Sequence, residues 1–258
     1  TLFVISGDHG IPGFPRAKCN LYNIGCEVAL AVRWPGHVQP GRVVDDFVNL
    51  MDLAPTFLEA AGVDVPDSMS ATSFLPVLES DESGQADERH TWVVTGRERH
   101  VENAREGGLP YPQRAIRTKD FLYICNFEPG RWPMGDPQGL DDLNAEAPSW
   151  ESIWTTTRVA YPDMDGGPTK AWMIHHRADE DVQELFQMAF GKRPREELYD
   201  LRIDPDYMNN VADHADHQDA RKRLADELMR ELRDNDDPRV VESPCRFEHA
   251  PYAGPILH

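Results

Sequence analysis

An apolar run that ends abruptly at a glycine-flanked polar turn restricts the start of this chain more than any other feature restricts the rest. Leu2, Phe3, Val4 and Ile5 read as a buried parallel strand, and the run stops at Ser6-Gly7-Asp8-His9-Gly10. In open α/β sheets, ligands sit in the crevice beyond the carboxyl ends of the strands, and glycines let the backbone approach them closely. Asp8 and His9 are therefore candidates for a metal or substrate site. The alternative for the same residues is a turn-forming aspartate followed by a solvated histidine.

Lys18 follows after a short loop, within Arg16-Ala17-Lys18-Cys19-Asn20-Leu21-Tyr22-Asn23-Ile24-Gly25. A second strand-like run, Val28 to Val32, then leads to Arg33-Trp34-Pro35-Gly36. A carboxylate, an imidazole and an ammonium would thus converge on one crevice. Here the chain resembles the type I sulfatases of the alkaline phosphatase superfamily, whose pattern is Asp-Asn-Gly or Asp-His-Gly, a Lys before Tyr and Gly, a strand, and Trp-Pro-Gly. The resemblance implies that Asp8 and His9 hold a divalent cation, usually calcium, and that Lys18 binds the sulfate as a catalytic residue. It also implies an alkaline-phosphatase-like α/β fold, a mixed sheet flanked by helices, with a smaller C-terminal α+β subdomain. Where the family usually has Val-Pro-Leu, this chain has Val28-Ala29-Leu30, a departure that touches the strand and not the ligands.

At 258 residues the chain is long enough for one large or two modest domains. It opens without Met and inside a strand, as expected of part of a longer protein. No apolar run approaches the roughly 20 residues of a membrane span. A net charge of −19 disfavours nucleic acid and anionic membranes as partners. A sulfated sugar is also an anion, so its site calls for a local basic pocket, with Arg16, Lys18, Arg97, Arg99, Arg105 and Arg114 as candidates to line it; the plainer alternative is solvated surface arginines. Cys19, Cys26, Cys125 and Cys245 form no C-x-x-C pair, and a Cys19–Cys26 bridge is left open.

Farther along, Asp52 can cap a helix, Pro55 suits its first turn, and Gly62 suits its C-terminal end. The stretch 66–90 reads as a loop with one helical turn, and Trp92 to Gly96 as a strand. The segment from Gly96 to Arg114 has no apolar periodicity and reads as a long polar loop running to a strand at Phe121 to Cys125. It resembles the substrate-facing loop of sulfamidase-like (N-sulfoglucosamine sulfohydrolase-like) sulfatases, which implies substrate contact by His100 and Arg114, with Arg97, Asn103 and Arg105 as further candidates. Single Trp residues such as Trp150, Trp154 and Trp172 read mainly as packing anchors. Glu197-Leu198-Tyr199-Asp200-Leu201, Asp204-Pro205 and Asn209-Asn210-Val211-Ala212 resemble the family's C-terminal signature. Leu224, Leu228 and Leu232 then mark an amphipathic helix over about 218–233.

Two segments are expected: 1–85 as the later part of a catalytic α/β domain, and 86–258 as a C-terminal subdomain. The Cys/Ser-x-Pro/Ala-x-Arg motif that yields the family's formylglycine nucleophile does not occur in this sequence. By resemblance, the nucleophile and the remaining metal aspartates belong to an N-terminal part of the same catalytic domain, and the protein is periplasmic or secreted. The expected activity is hydrolysis of sulfate esters or N-sulfates of sugars, glucosamine N-sulfate first among them, with this chain inactive alone. A phosphonate or phosphate ester hydrolase of the same superfamily, and a non-catalytic sugar-binding module, are the other readings.

Overall fold

The computed structural model describes residues 1–249. Strand β1 (Phe3–Ser6) pairs with β2 (Leu30–Arg33), and a one-turn helix α1 (Asn23–Cys26) lies between them. The pairing is antiparallel, which corrects the expectation of a parallel neighbour, and Phe3 and Ile5 are 54% and 58% exposed in this chain. The reason is the connection: residues 7–29 bring the chain back beside itself, with the Gly7 N–H donating to the Ala29 carbonyl at 3.1 Å, so a wide hairpin replaces a crossover.

That returning segment is held by a close backbone approach. The Gly10 N–H donates to the Gly25 carbonyl at 3.0 Å, and a Cβ on Gly25 would stand 2.5 Å from the carbonyl oxygens of both Ala17 and Asn20. Backbone oxygens cannot swing aside as side chains do. Gly25→Ala is therefore expected to cost about 1–3 kcal/mol by overpacking, read as a lower urea midpoint; an unchanged midpoint would show that the turn relaxes freely.

After β2 comes helix α2 (Leu53–Ala60), which ends as a Schellman motif. Gly62 takes φ +70°, its N–H donates to the Glu59 carbonyl, and the Val63 N–H reaches back to Leu58. At the start of the helix, Asp52 acts one step earlier than expected. Its side chain completes a capping box with Asn49 on the preceding 3₁₀ turn, Leu50–Asp52. Helix α3 (Leu75–Glu79) is the single helical turn expected within 66–90, and it buries Phe74, Val77 and Leu78.

The centre of the fold is an antiparallel sheet in the order β3 (Trp92–Arg97), β4 (Gln113–Thr118), β5 (Phe121–Asn126), β6 (Glu196–Asp200). Strand β4 lies where the sequence reads as loop, so the polar loop closes at Pro112. Helices α4 (Trp150–Thr155), α5 (Pro168–His175) and α6 (Gln183–Phe190) pack round Tyr161, Phe186 and Phe190 in a second core. Trp150, Trp154 and Trp172 remain 37%, 51% and 40% exposed, so they anchor less than expected.

Helix α7 (Gln218–Asp234) follows, then the short α8 (Pro238–Val241). Leu224, Leu228 and Leu232 of α7 bury against Ile116, Phe121, Tyr123 and Leu198 on one face of the sheet. The period-2 alternation sends Ala115, Leu122, Ile124 and Tyr199 to the opposite face, where Leu21 and Tyr22 cover them. The N-terminal loop thus packs directly on the central sheet. The described residues form an α/β fold with two small antiparallel sheets, and among them no helix is long and apolar enough to cross a membrane.

Candidate functional site

Three loops meet at Lys18, and each is tied down by buried polar chemistry. The first is the N-terminal loop itself. Arg16 and Cys19, two residues before and one after the lysine, have φ +58° and +73°, left-handed values that cost energy outside glycine. Buried Asn20 donates to the Ala17 carbonyl at 3.1 Å, and the Lys18 N–H donates to the Ile11 carbonyl at 3.0 Å, tying the lysine turn to the Asp8-His9 loop. Behind it, the Tyr22 hydroxyl donates to Glu197 at 2.6 Å, fixing the segment to β6.

The second loop follows β3. Its anchor is Asp163, whose side chain is wholly buried between Arg97 at 2.7 Å and Arg105 at 2.6 Å, and which also accepts from the Val101 N–H at 2.9 Å. Burial works to raise the Asp163 pKa, but Arg97, Arg105 and the Val101 amide outweigh it and hold the carboxyl below its ordinary range. Residue 101 is pinned, and His100 beside it is exposed.

The third loop carries Asp163 and Asp165 ahead of α5. Fully buried Lys170 donates to the carbonyls of Met164 and Thr157, both at 2.9 Å, and burial pushes its pKa down to about 8 against the pull of Asp165 and Asp163. The Gly166 N–H donates to the Thr157 hydroxyl at 3.1 Å. From this frame Asp165 projects to accept from Lys18 Nζ at 3.0 Å, with both side chains partly exposed.

His100 shares the same electrostatic environment. Desolvation lowers its pKa first, Asp163 and Asp165 raise it, and Lys18 and Arg97 lower it further, with a net fall that favours the neutral ring near neutral pH. Cys19 is no nucleophile here: burial pushes its thiol up to about 12, so the thiolate is scarce. Cys19 and Cys26 are both free thiols, which closes the open pairing.

Asp8 and His9 lie on the loop tied to Lys18. His9 Nδ1 is 2.8 Å from the Gly10 carbonyl, and Nε2 is 3.6 Å from Asp8 Oδ2. In the tautomer that protonates Nδ1, Nε2 is left as a lone-pair donor 3.6 Å from the carboxylate. Two donors 3.6 Å apart suit one divalent cation with bonds of about 2.4 Å. Asp8 is 90% exposed and no cation-holding group of three or more His, Cys, Asp or Glu occurs among the described residues, so the pair by itself does not complete a coordination shell.

The arginines expected to line a basic pocket are mostly engaged elsewhere. Arg16 donates to the Tyr207 carbonyl and lies over the Tyr22 ring at 4.7 Å. Arg97 also donates to the carbonyls of Cys19 and Pro133, and Arg105 to Trp132 and Pro133. Arg99 donates to Gly108, and Arg114 grips Asp237 at 2.5 Å and Glu98 at 2.8 Å. Arg97, Arg105 and Arg114 are buried and braced inside the protein, Asn103 is exposed, and Lys18 and His100 are the candidates brought together with open faces. Asp163 and Asp165 escaped the sequence reading; their signal is an Asp-x-Asp-Gly turn just before a proline-led helix.

A lysine and a histidine on braced loops lie beside an acid–imidazole pair, the grouping that the resemblance to type I sulfatases leads one to expect. Residues 8–139 match the family model described as "N-sulphoglucosamine sulphohydrolase, C-terminal", and the chain belongs to that family. Among curated relatives, an ulvan-active sulfatase of Formosa agariphila is 28% identical over 229 residues, 89% of this chain and 36% of the relative. Human N-sulphoglucosamine sulphohydrolase is 26% identical over 251 residues, 93% of this chain and 43% of that protein. The chain therefore spans well under half the length of these relatives. A protein solved in complex with its substrate D-glucosamine-2-N,6-O-disulfate shares the fold, with a TM-score of 0.52, 19% identity, and coverage of 93% of this chain and 36% of the other.

Proposed function

We propose that this chain is the later part of a sulfatase that hydrolyses sulfate esters or N-sulfates of sugars, glucosamine N-sulfate being the first substrate to try. The observation that carries the reading is an open cation in a strongly acidic protein: at a net charge of −19, Lys18 stays 21% exposed beside the exposed His100, while Arg97 and Arg105 behind it are paired with buried Asp163. The human relative's name, an N-sulphoglucosamine hydrolase, and the disulfated glucosamine bound to the fold relative support the substrate class. In this reading residues 1–85 complete a catalytic α/β domain and 86–258 form its C-terminal subdomain. The location is periplasmic or secreted.

Within that scheme Lys18 takes a sulfate oxygen and offsets the charge developing on it, and the neutral ring of His100 hydrogen-bonds the sugar or the leaving oxygen. Asp8 and His9 would hold the cation, most simply calcium. The cation and a formylglycine nucleophile contributed by the N-terminal part of the same domain would supply Lewis acidity and the attacking oxygen. Arg97 and Arg105 keep the His100 loop in place, and Arg114 braces the start of β4.

The test is turnover by the complete protein of a sulfated glucosamine against its phosphate analogue. Preference for the sulfate supports the reading, and preference for the phosphate favours a phosphate ester hydrolase. Asp8→Asn is expected to weaken cation retention about tenfold, measured by elemental analysis after dialysis, because calcium affinity follows ligand charge. Unchanged metal content would remove Asp8 from the cation site.

A further inference from the structure

We infer that Asp165 determines specificity by accepting hydrogen bonds from hydroxyl or amino groups next to the sulfate on the sugar. The inference rests on the sulfatase reading and adds a residue to it. It starts from a conflict in the site. Lys18, the cation offered to the sulfate, already has a carboxylate 3.0 Å away, and both side chains are open to solvent at 21% and 31%. An anion bound at Lys18 would therefore lie close to a like charge, and repulsion at that range in a partly desolvated site weakens binding unless something compensates.

The backbone that carries this carboxylate is fixed in place. Its neighbours on both sides are fixed: Asp163 by two arginines and the Val101 amide, Met164 by Lys170, Gly166 by Thr157. A Cβ at Gly166 would stand 2.7 Å from the Trp154 carbonyl oxygen, which leaves the loop little room. The buried lysine beneath donates to two main-chain carbonyls and stays outside ion-pair range of Asp165, whose Oδ2 accepts from Lys18 instead.

A solvent-facing carboxylate on a fixed backbone, beside an anion site, fits a ligand that brings donors with its negative charge. A sugar sulfate does so, because a ring hydroxyl or amino group lies one or two bonds from the sulfate-bearing carbon, and each donor turned to Asp165 offsets the repulsion. An aryl sulfate has no such donor and meets the repulsion alone. Discrimination of this kind is steep because a polar group left unpaired by the wrong ligand is costly.

The experiment uses the complete protein and two substrates, glucosamine N-sulfate and 4-nitrophenyl sulfate, with Asp165→Ala and Asp165→Asn. Loss of a charge-assisted hydrogen bond corresponds to about ten- to a hundredfold, so kcat/KM on the sugar should fall by at least about tenfold, mainly through KM. On the aryl sulfate kcat/KM should rise, since a repulsive charge is gone. A ratio of the two kcat/KM values that stays within about threefold of the parent's in both variants overturns the proposal and reduces Asp165 to a partner of Lys18. A parent protein that turns over neither compound overturns the sulfatase reading and this proposal with it, and it does so before any substitution is made.

Discussion

Asp163→Ala is expected to destabilise the protein by about 3–5 kcal/mol, the range for breaking a buried ion pair by removing one partner. The carboxylate is 0% exposed, and its two guanidinium partners are only 6% and 3% exposed. Removing it leaves Arg97 and Arg105 as uncompensated buried cations and strips the Val101 N–H of its acceptor. Against a typical stability of about 5–15 kcal/mol, such a loss takes much of what holds the fold, and urea unfolding reads it directly. A variant that removes all three charges, Asp163→Leu with Arg97→Met and Arg105→Met, should recover most of it, because apolar replacements of a buried ion cluster are often neutral or better.

The same carboxyl gives the prediction a pH signature. Its folded pKa lies below the unfolded one, so its contribution is fully present above about pH 4 and is lost as pH falls through the folded value. Parent and Asp163→Ala stabilities should converge as pH drops below about 4. If the single variant unfolds at the parent's urea midpoint at pH 7, the Arg–Asp–Arg cluster contributes nothing net and the loop is held by other contacts.

Lys18→Ala is expected to lower kcat/KM of the complete protein on a sulfated sugar by about 10²- to 10³-fold, the scale for losing one preorganised donor to a developing anion. Stability should barely move. The Lys18–Asp165 pair is partly exposed, and ion pairs of that kind are worth about 0–1 kcal/mol. Cation content should also be unaffected, which separates this variant from Asp8→Asn. A Lys18→Ala protein that keeps parental kcat/KM would place the anion elsewhere, and the charge argument for the site would go with it.

How much of this was legible beforehand depended on how local the interaction is. The Gly62 helix end and the leucine stripe of α7 could be read because hydrogen bonds three to five residues apart and a 3.6-residue period carry them. Strand β4 could not. Gln113-Arg114 looks like loop because a buried arginine is unfavourable without partners, and the Asp237 that partners Arg114 lies 123 positions along the chain. Strand β1 shows a different limit: an apolar run reports a preference for extended backbone and says nothing of the direction of its neighbour.

The site divides in the same way. Asp8 and His9 stood out in the sequence as a glycine-flanked turn after a strand with Lys18 a short loop away, and their roles, like that of His100, came from the resemblance to type I sulfatases. That Lys18 faces Asp165, that Asp163 joins Arg97 to Arg105, and that these arginines brace a loop instead of opening to solvent were decided by tertiary contacts spanning 58 to 147 positions. The amino-acid order set which residues carry charge and where short elements begin and end, because those depend on near neighbours. Which charges neutralise each other and which stay open to a ligand was left to the packing, since a buried ion survives only beside the partner that the fold brings to it.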